Sequence, residues 1–203
     1  MLDLIEKSGP VFYALAFCSL IATAVIIERS IALRRSRILP RQIIDLVEAV
    51  QPGKDLSLPL EICRRNPGVF SDVMRAGLEN ADREWEVMRD AVIDAGRQET
   101  PAIERHLFWL QTVAQASPLL GLLGTVFGMI KMFSSVSLQG LGDPQVLSHG
   151  ISEAMLATAE GLCIGIPALV AYNYLSSRAD RLIIEVEGHA SRMLTRLRPE
   201  QAR

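Results

Sequence analysis

The chain has 203 residues, a formal net charge of −2 and a hydrophobic content of 49%. That near-neutral balance excludes an electrostatic case for nucleic acid or for a strongly charged substrate. The hydrophobic residues are gathered into a few long runs separated by charged stretches, which is the pattern of membrane spans and not of one soluble core. The cysteines (Cys18, Cys63 and Cys163) are odd in number and show no pairing spacing. Two of them lie inside apolar runs, so they read as small apolar residues and not as a disulfide or a metal site.

Residues 1–10 are expected to be a short outer N-terminus before the first apolar run, residues 11–27, VFYALAFCSLIATAVII, which carries no charge. It approaches the roughly 20 residues that a helix needs to cross a hydrocarbon layer about 30 Å thick. Lys7 precedes it as in a secretory signal, but arginines follow it instead of a small-residue cleavage site, so an uncleaved anchor is expected. The second run covers residues 107–133 and the third residues 151–175. Between them, residues 134–150 are rich in turn formers and contain no Lys or Arg, which predicts a short hairpin connection.

The bias of Lys and Arg towards the cytoplasmic side sets the expected orientation. Arg29, Arg34, Arg35, Arg37 and Arg41 follow the first run. Arg178, Arg181, Arg192, Arg196 and Arg198 follow the third. The N-terminus is therefore expected outside, with residues 28–106 and 176–203 inside. This is the topology of a multi-pass membrane protein. Within the inner segment, Val73, Met74, Leu78, Trp85, Val87, Met88, Val92 and Ile93 recur at helical spacing among charged residues. Pro52-Gly53 and Asn66-Pro67-Gly68 predict turns. Thr100-Pro101 predicts a helix N-cap followed by proline at the first helical position, so a fresh helix is expected to start there and enter the second span. After the third span, Leu182, Ile183, Val186, Met193, Leu194 and Leu197 continue the helical pattern and need partner helices.

The second and third spans are not purely apolar. Gly121, Gly124 and Gly128 make one small-residue face, and Ala157, Gly161 and Gly165 make another, where helices can approach closely. Pro118 and Pro167 lack the N–H that would bond the carbonyls of Ala114 and Cys163, which predicts kinks with free acceptors. Thr125 and Thr158 stand at similar depth, on the order of 10 Å below the outer turn at 1.5 Å per residue. Each threonine either bonds back to its own helix or faces a lumen. Glu153 and Glu160 lie in the outer part of the third span, where a carboxylate is costly unless it is protonated, paired or hydrated. Their bland readings are an interfacial, solvated side chain for Glu153 and a hydrogen-bonded packing residue for Glu160. On a straight helix the two acids share a face and Thr158 points well over about 100° away, so they cannot all line one lumen.

PLLGLLGTVFGMI followed by GISEAMLATAEGLCIGIPALVAYN resembles the signature of the ExbB/TolQ/MotA proton-channel family, and more narrowly its three-span ExbB/TolQ branch. The likeness covers residues 104–175. It implies an all-α membrane protein of three transmembrane helices with long cytoplasmic helical extensions, assembled as a pentameric ring. The second and third spans would surround a pore holding a dimer of single-span ExbD/TolR-like partners, which carry the proton-accepting aspartate. Force would pass to a periplasmic TonB/TolA-like effector, and related pairs drive gliding machinery. The family's pore threonines fall on Thr125 and Thr158, and its span-three glutamate on Glu153. Glu160 departs from the familiar pattern and adds an acid near the path. Span one carries no acid and is expected to face membrane lipids.

Two other classes compete. A passive oligomeric scaffold would use the same polar residues for helix association alone. A four-span flagellar stator is disfavoured by the three runs of spanning length. An enzyme finds no nucleotide loop and no metal-ligand cluster, and His106, His149 and His189 are scattered without a nucleophile. No cofactor, metal or nucleic-acid partner is expected.

Overall fold

The computed structural model describes residues 9–51, 55–139 and 144–197. Lys7, Arg198 and the turn expected at Pro52-Gly53 lie outside them. Eight helices account for nearly all of the described chain: α1 (Gly9–Ala32), α2 (Arg35–Ile38), α3 (Arg41–Ala49), α4 (Ser57–Arg65), α5 (Val69–Glu79), α6 (Trp85–Glu104), α7 (Leu107–Gln139) and α8 (Pro144–Leu197). Three of them, α1, α7 and α8, contain stretches long and apolar enough to cross a membrane, beginning at Val11, Leu107 and Gly150.

The chain divides into two compact units. The first combines the described part of Met1–Glu28 with His106–Tyr174. Where α8 packs against α7 the contact is poor in large side chains, because the buried stripe of α8 is Ala154, Ala157, Gly161, Gly165 and Ala168. These recur three or four residues apart, so they fall on one helix face. The large apolar side chains point the other way: Leu122, Ile130 and Phe133 of α7 and Met155, Ile166 and Val170 of α8 are all exposed. An exposed apolar belt around a small-residue contact is what a bilayer-embedded helix set requires, since lipid gives no hydrophobic drive towards an interior of large residues.

The second unit combines Arg29–Arg105 with Leu175–Arg203. Here the amphipathic pattern builds an ordinary core, with Phe70, Met74, Met88 and Met193 fully buried. Asn66-Pro67-Gly68 separates α4 from α5, and the Asn66 amide donates to the Ile62 carbonyl at the end of α4 (3.0 Å). The end of α8 is tied in by polar contacts. Arg178 Nε donates to the Leu33 carbonyl (2.8 Å), and Arg35 Nε to the Glu185 carboxylate (2.7 Å).

Two local expectations are corrected. No helix starts at Thr100-Pro101, because α6 runs through Pro101 to Glu104. The Thr100 hydroxyl caps nothing and donates back to the Gly96 carbonyl (2.8 Å), a bond that leaves the helix intact. The break falls at Arg105 and His106, where the chain leaves helical angles and His106 takes a φ of 66°. Helix also reaches further into residues 134–150 than their composition suggests: α7 continues to Gln139, and α8 begins at Pro144. Proline is well suited to a first helical position, where its missing N–H has no partner to lose.

Candidate functional site

The candidate site lies on the α7–α8 hairpin of the first unit. The two small-residue stripes face each other within one chain. A methyl built on Gly128 would lie 3.1 Å from the Ala154 Cβ, and one on Gly124 would lie 2.5 Å from the Ala157 Cβ. A methyl on Gly121 would lie 2.9 Å from the Ala157 carbonyl oxygen, and one on Gly165 would lie 2.7 Å from Pro118 Cγ. With no side chain between them, the two backbones approach closely enough for Cα–H···O contacts. The Ala114 carbonyl, which Pro118 deprives of its helical donor, is part of that contact. It would stand 3.2 Å from a methyl on Gly165. Both α7 and α8 run without a break through Pro118 and Pro167.

These contacts define an antiparallel register in which Met132 meets Gly150, Gly128 meets Ala154, and Gly121 meets Gly161. In that register Thr125 and Thr158 stand at the same level. Each also follows a buried stripe residue by one position (Gly124 and Ala157), so each is displaced to the same edge of the hairpin. Both are partly exposed. The Thr125 hydroxyl donates to the Leu122 carbonyl (2.6 Å), which leaves its lone pairs as acceptors.

Glu153 and Glu160 each precede a stripe residue by one position (Ala154 and Gly161), which puts them on the opposite edge from the threonines. Both are half-buried, and the Glu160 Oε2 atom is buried. Glu153 is held by Lys131, which precedes Met132 by one position and so occupies the same edge. Its Nζ lies 3.2 Å and 3.3 Å from the two carboxylate oxygens. Sequence reasoning missed Lys131, although the depth argument that matched Thr125 with Thr158 also matches Lys131 with Glu153. An isolated charge at the bilayer centre costs ~2.5–3.5 kcal/mol on insertion scales, so a cation opposite an acid in adjacent spans is itself a signal. It also missed Ser117, whose Oγ is fully buried in the hairpin and has no hydrogen-bond partner among the described residues.

At the other end of the first unit, Glu28 and His106 Nδ1 lie 2.8 Å apart. They close an apolar groove of about 570 Å³ lined by Phe17, Ile21, Val25 and Trp109.

Together these features define a three-span helical membrane protein. Its two later spans form a glycine-packed hairpin with hydroxyls on one edge and charges on the other. The sequence profile of the MotA/TolQ/ExbB proton channel family matches residues 66–188. The chain is 37% identical over 120 residues to the Tol-Pal system protein TolQ of Pseudomonas aeruginosa, covering 59% of this chain and 48% of that protein. It thus spans about half the length of that relative. It is 32% identical to the TolQ of Haemophilus influenzae over 174 residues, covering 77% and 76% of the two chains. In fold it is similar to a chain of the flagellar MotAB stator complex from Bacillus subtilis, with a TM-score of 0.52 and 21% identity, covering 97% and 84%. The chain belongs to the MotA/TolQ/ExbB proton channel family.

Proposed function

We propose that this chain is the pore-forming subunit of a proton-driven motor of the inner membrane. Copies of it, five in the expected ring, surround a pore with α7 and α8. Single-span ExbD/TolR-like helices sit in that pore and carry the titrating aspartate. Proton passage moves one component against the other, and the work reaches a TonB- or TolA-like periplasmic effector. The N-terminus lies in the periplasm and the C-terminus in the cytoplasm, as the arginines after each inward crossing favour.

The observation that carries this reading is the pairing of Thr125 and Thr158 at one level on one edge of the hairpin. Repeated around a ring, that edge becomes a polar collar able to relay protons through water, while glycine packing excludes bulk leakage. Glu160 supplies a further carboxylate on the other edge, at a subunit seam. Gly121, Gly124, Gly128, Ala157, Gly161 and Gly165 hold the hairpin closed. The outward side chains of α1, among them Tyr13, Phe17 and Leu20, are exposed and apolar and face lipid.

The test is an energy-dependent outer-membrane assay, scored as substrate uptake and as envelope integrity, in cells lacking their own copy. Thr158→Ala at matched membrane levels is expected to lose roughly 100-fold of activity, the scale on which a positioned proton-transfer group acts. Full activity with the oligomer intact would overturn the channel reading and leave a passive scaffold.

A further inference from the structure

The edge that carries Thr125 and Thr158 has a second polar level nearer the cytoplasmic end of the hairpin. Gln111 stands 14 residues before Thr125 on α7, and Asn173 stands 15 residues after Thr158 on α8. Because the two helices run antiparallel, both steps lead the same way, by about 21–23 Å at 1.5 Å per residue. At about 100° per residue, Gln111 returns to within about 40° of Thr125 and Asn173 to within about 60° of Thr158, each turned away from the glycine seam. The register that sets Gly165 against Pro118, carried about two turns further, brings Gln111 and Asn173 to one level. Asn173 is exposed and Gln111 partly so.

Between the two levels the same edge carries Leu122 and Pro118 on α7 and Leu162, Ile166 and Leu169 on α8, and the four aliphatic side chains are exposed. Gln115 lies one turn outward of Gln111, about 40° further round α7. An amide in hydrocarbon is costly unless its hydrogen bonds are met. Trp109 and Tyr174, both exposed, adjoin the pair and mark the head-group level, so Gln111 and Asn173 stand where the edge meets inner water. A carboxamide donates and accepts hydrogen bonds and does not titrate. It therefore orders water without binding the proton, as a carboxylate would, or repelling it, as an ammonium would. We propose that Gln111 and Asn173 form the inner mouth of the path, a carboxamide collar holding the water through which the proton leaves for the cytoplasm. The inference rests on the channel reading. The aliphatic band between the collars is then a dry stretch that excludes the bulk water through which protons would leak.

Labelling and activity test the mouth separately. Thr112 is the control, because it lies at the same depth about 100° round α7, and its hydroxyl is bonded back to the Phe108 carbonyl (2.9 Å). Cys18, Cys63 and Cys163 are first replaced by serine or alanine, and inside-out membrane vesicles are treated with a membrane-impermeant maleimide. Gln111→Cys and Asn173→Cys are each expected to react on the order of tenfold faster than Thr112→Cys, since a thiol ionises in water and not among apolar groups. Equal rates in the three variants overturn the proposal, because depth alone would then set access. In the same outer-membrane assay at matched membrane levels, Q111L/N173L is expected to lose on the order of 100-fold of activity. The exchanged pair Q111N/N173Q keeps every donor and acceptor and is expected to stay within about threefold of wild type, as is Thr112→Val. An assembled Q111L/N173L with full activity overturns the proposal, and so does an equal loss in Thr112→Val. Where Q111L/N173L does not accumulate, the labelling rates decide. Thr158→Ala in parallel separates the two readings. An inactive Thr158→Ala beside a fully active Q111L/N173L removes only the inner mouth, whereas a fully active Thr158→Ala removes the channel itself.

Discussion

Gly121 and Gly161 meet backbone to backbone: a methyl on Gly161 would lie 2.9 Å from the Gly121 Cα and 2.6 Å from the Ser117 carbonyl oxygen. Neither neighbour is a flexible side chain that can swing aside. Gly161→Val must therefore push α7 and α8 apart, at a cost of about 1–3 kcal/mol for overpacking. The expected result is a lower melting temperature of the detergent-solubilised protein together with loss of activity. Gly96 is the contrasting case, because a methyl there meets nothing within 4 Å. Gly96→Ala is expected to stabilise α6 by up to about 1 kcal/mol, through helix propensity alone. Equal melting shifts in the two variants would contradict the packing argument.

The parts of the fold that could be anticipated from sequence are those where local composition and tertiary environment agree. The three apolar runs are expressed in α1, α7 and α8 because no soluble packing competes for such surfaces. The helix in residues 85–104 could not be delimited from Thr100-Pro101, because a helix interior tolerates proline when the surrounding turn holds. The real break, at His106, rests on a positive φ that only the completed structure demands. At the hairpin, the common level of Thr125 and Thr158 was legible because hairpin arithmetic fixes depth. The edge each residue occupies depends on which face α7 turns towards α8, and that face is set by the glycine contacts. Lys131 was legible in principle by the same arithmetic, but its apolar neighbours hid it inside a hydrophobic run.

The orientation of the hairpin gives a test independent of activity. Ser148, near the start of α8, and Ser177, three residues beyond Tyr174, are both exposed. With Cys18, Cys63 and Cys163 replaced by serine or alanine, Ser148→Cys is expected to react with a membrane-impermeant maleimide added to cells with permeabilised outer membranes. Ser177→Cys is expected to react only after the inner membrane is opened. Arg178 and Arg181 immediately follow it, and arginines of this kind are retained on the cytoplasmic side. The reverse labelling pattern would invert the topology, and with it the side on which Glu153 and Lys131 lie.

His189 belongs to the second unit, beyond the apolar part of α8, and should make that unit sensitive to acid. Its ring is 8% exposed and packs edge-on against Phe70 at a centroid distance of 5.5 Å, and Nδ1 lies 3.8 Å from the Glu48 carboxylate. Burial pushes the imidazole pKa below its ordinary value of 6.5. Arg192 and Arg35 push in the same direction, while Glu48 and Glu185 oppose them. The folded pKa is the lower one, so between the two values the unfolded chain holds the extra proton. Stability is then complete above pH 6.5 and is lost as pH falls through the folded value. Thermal unfolding of the purified protein between about pH 7.5 and about pH 5.5 should show this loss, with a slope of at most about 1.4 kcal/mol per pH unit from this group. His189→Leu keeps an apolar side chain against Phe70 and removes the titrating nitrogen, so its stability should depend less on pH across the same range. An unchanged slope in that variant would assign the acid sensitivity to carboxylates elsewhere in the second unit.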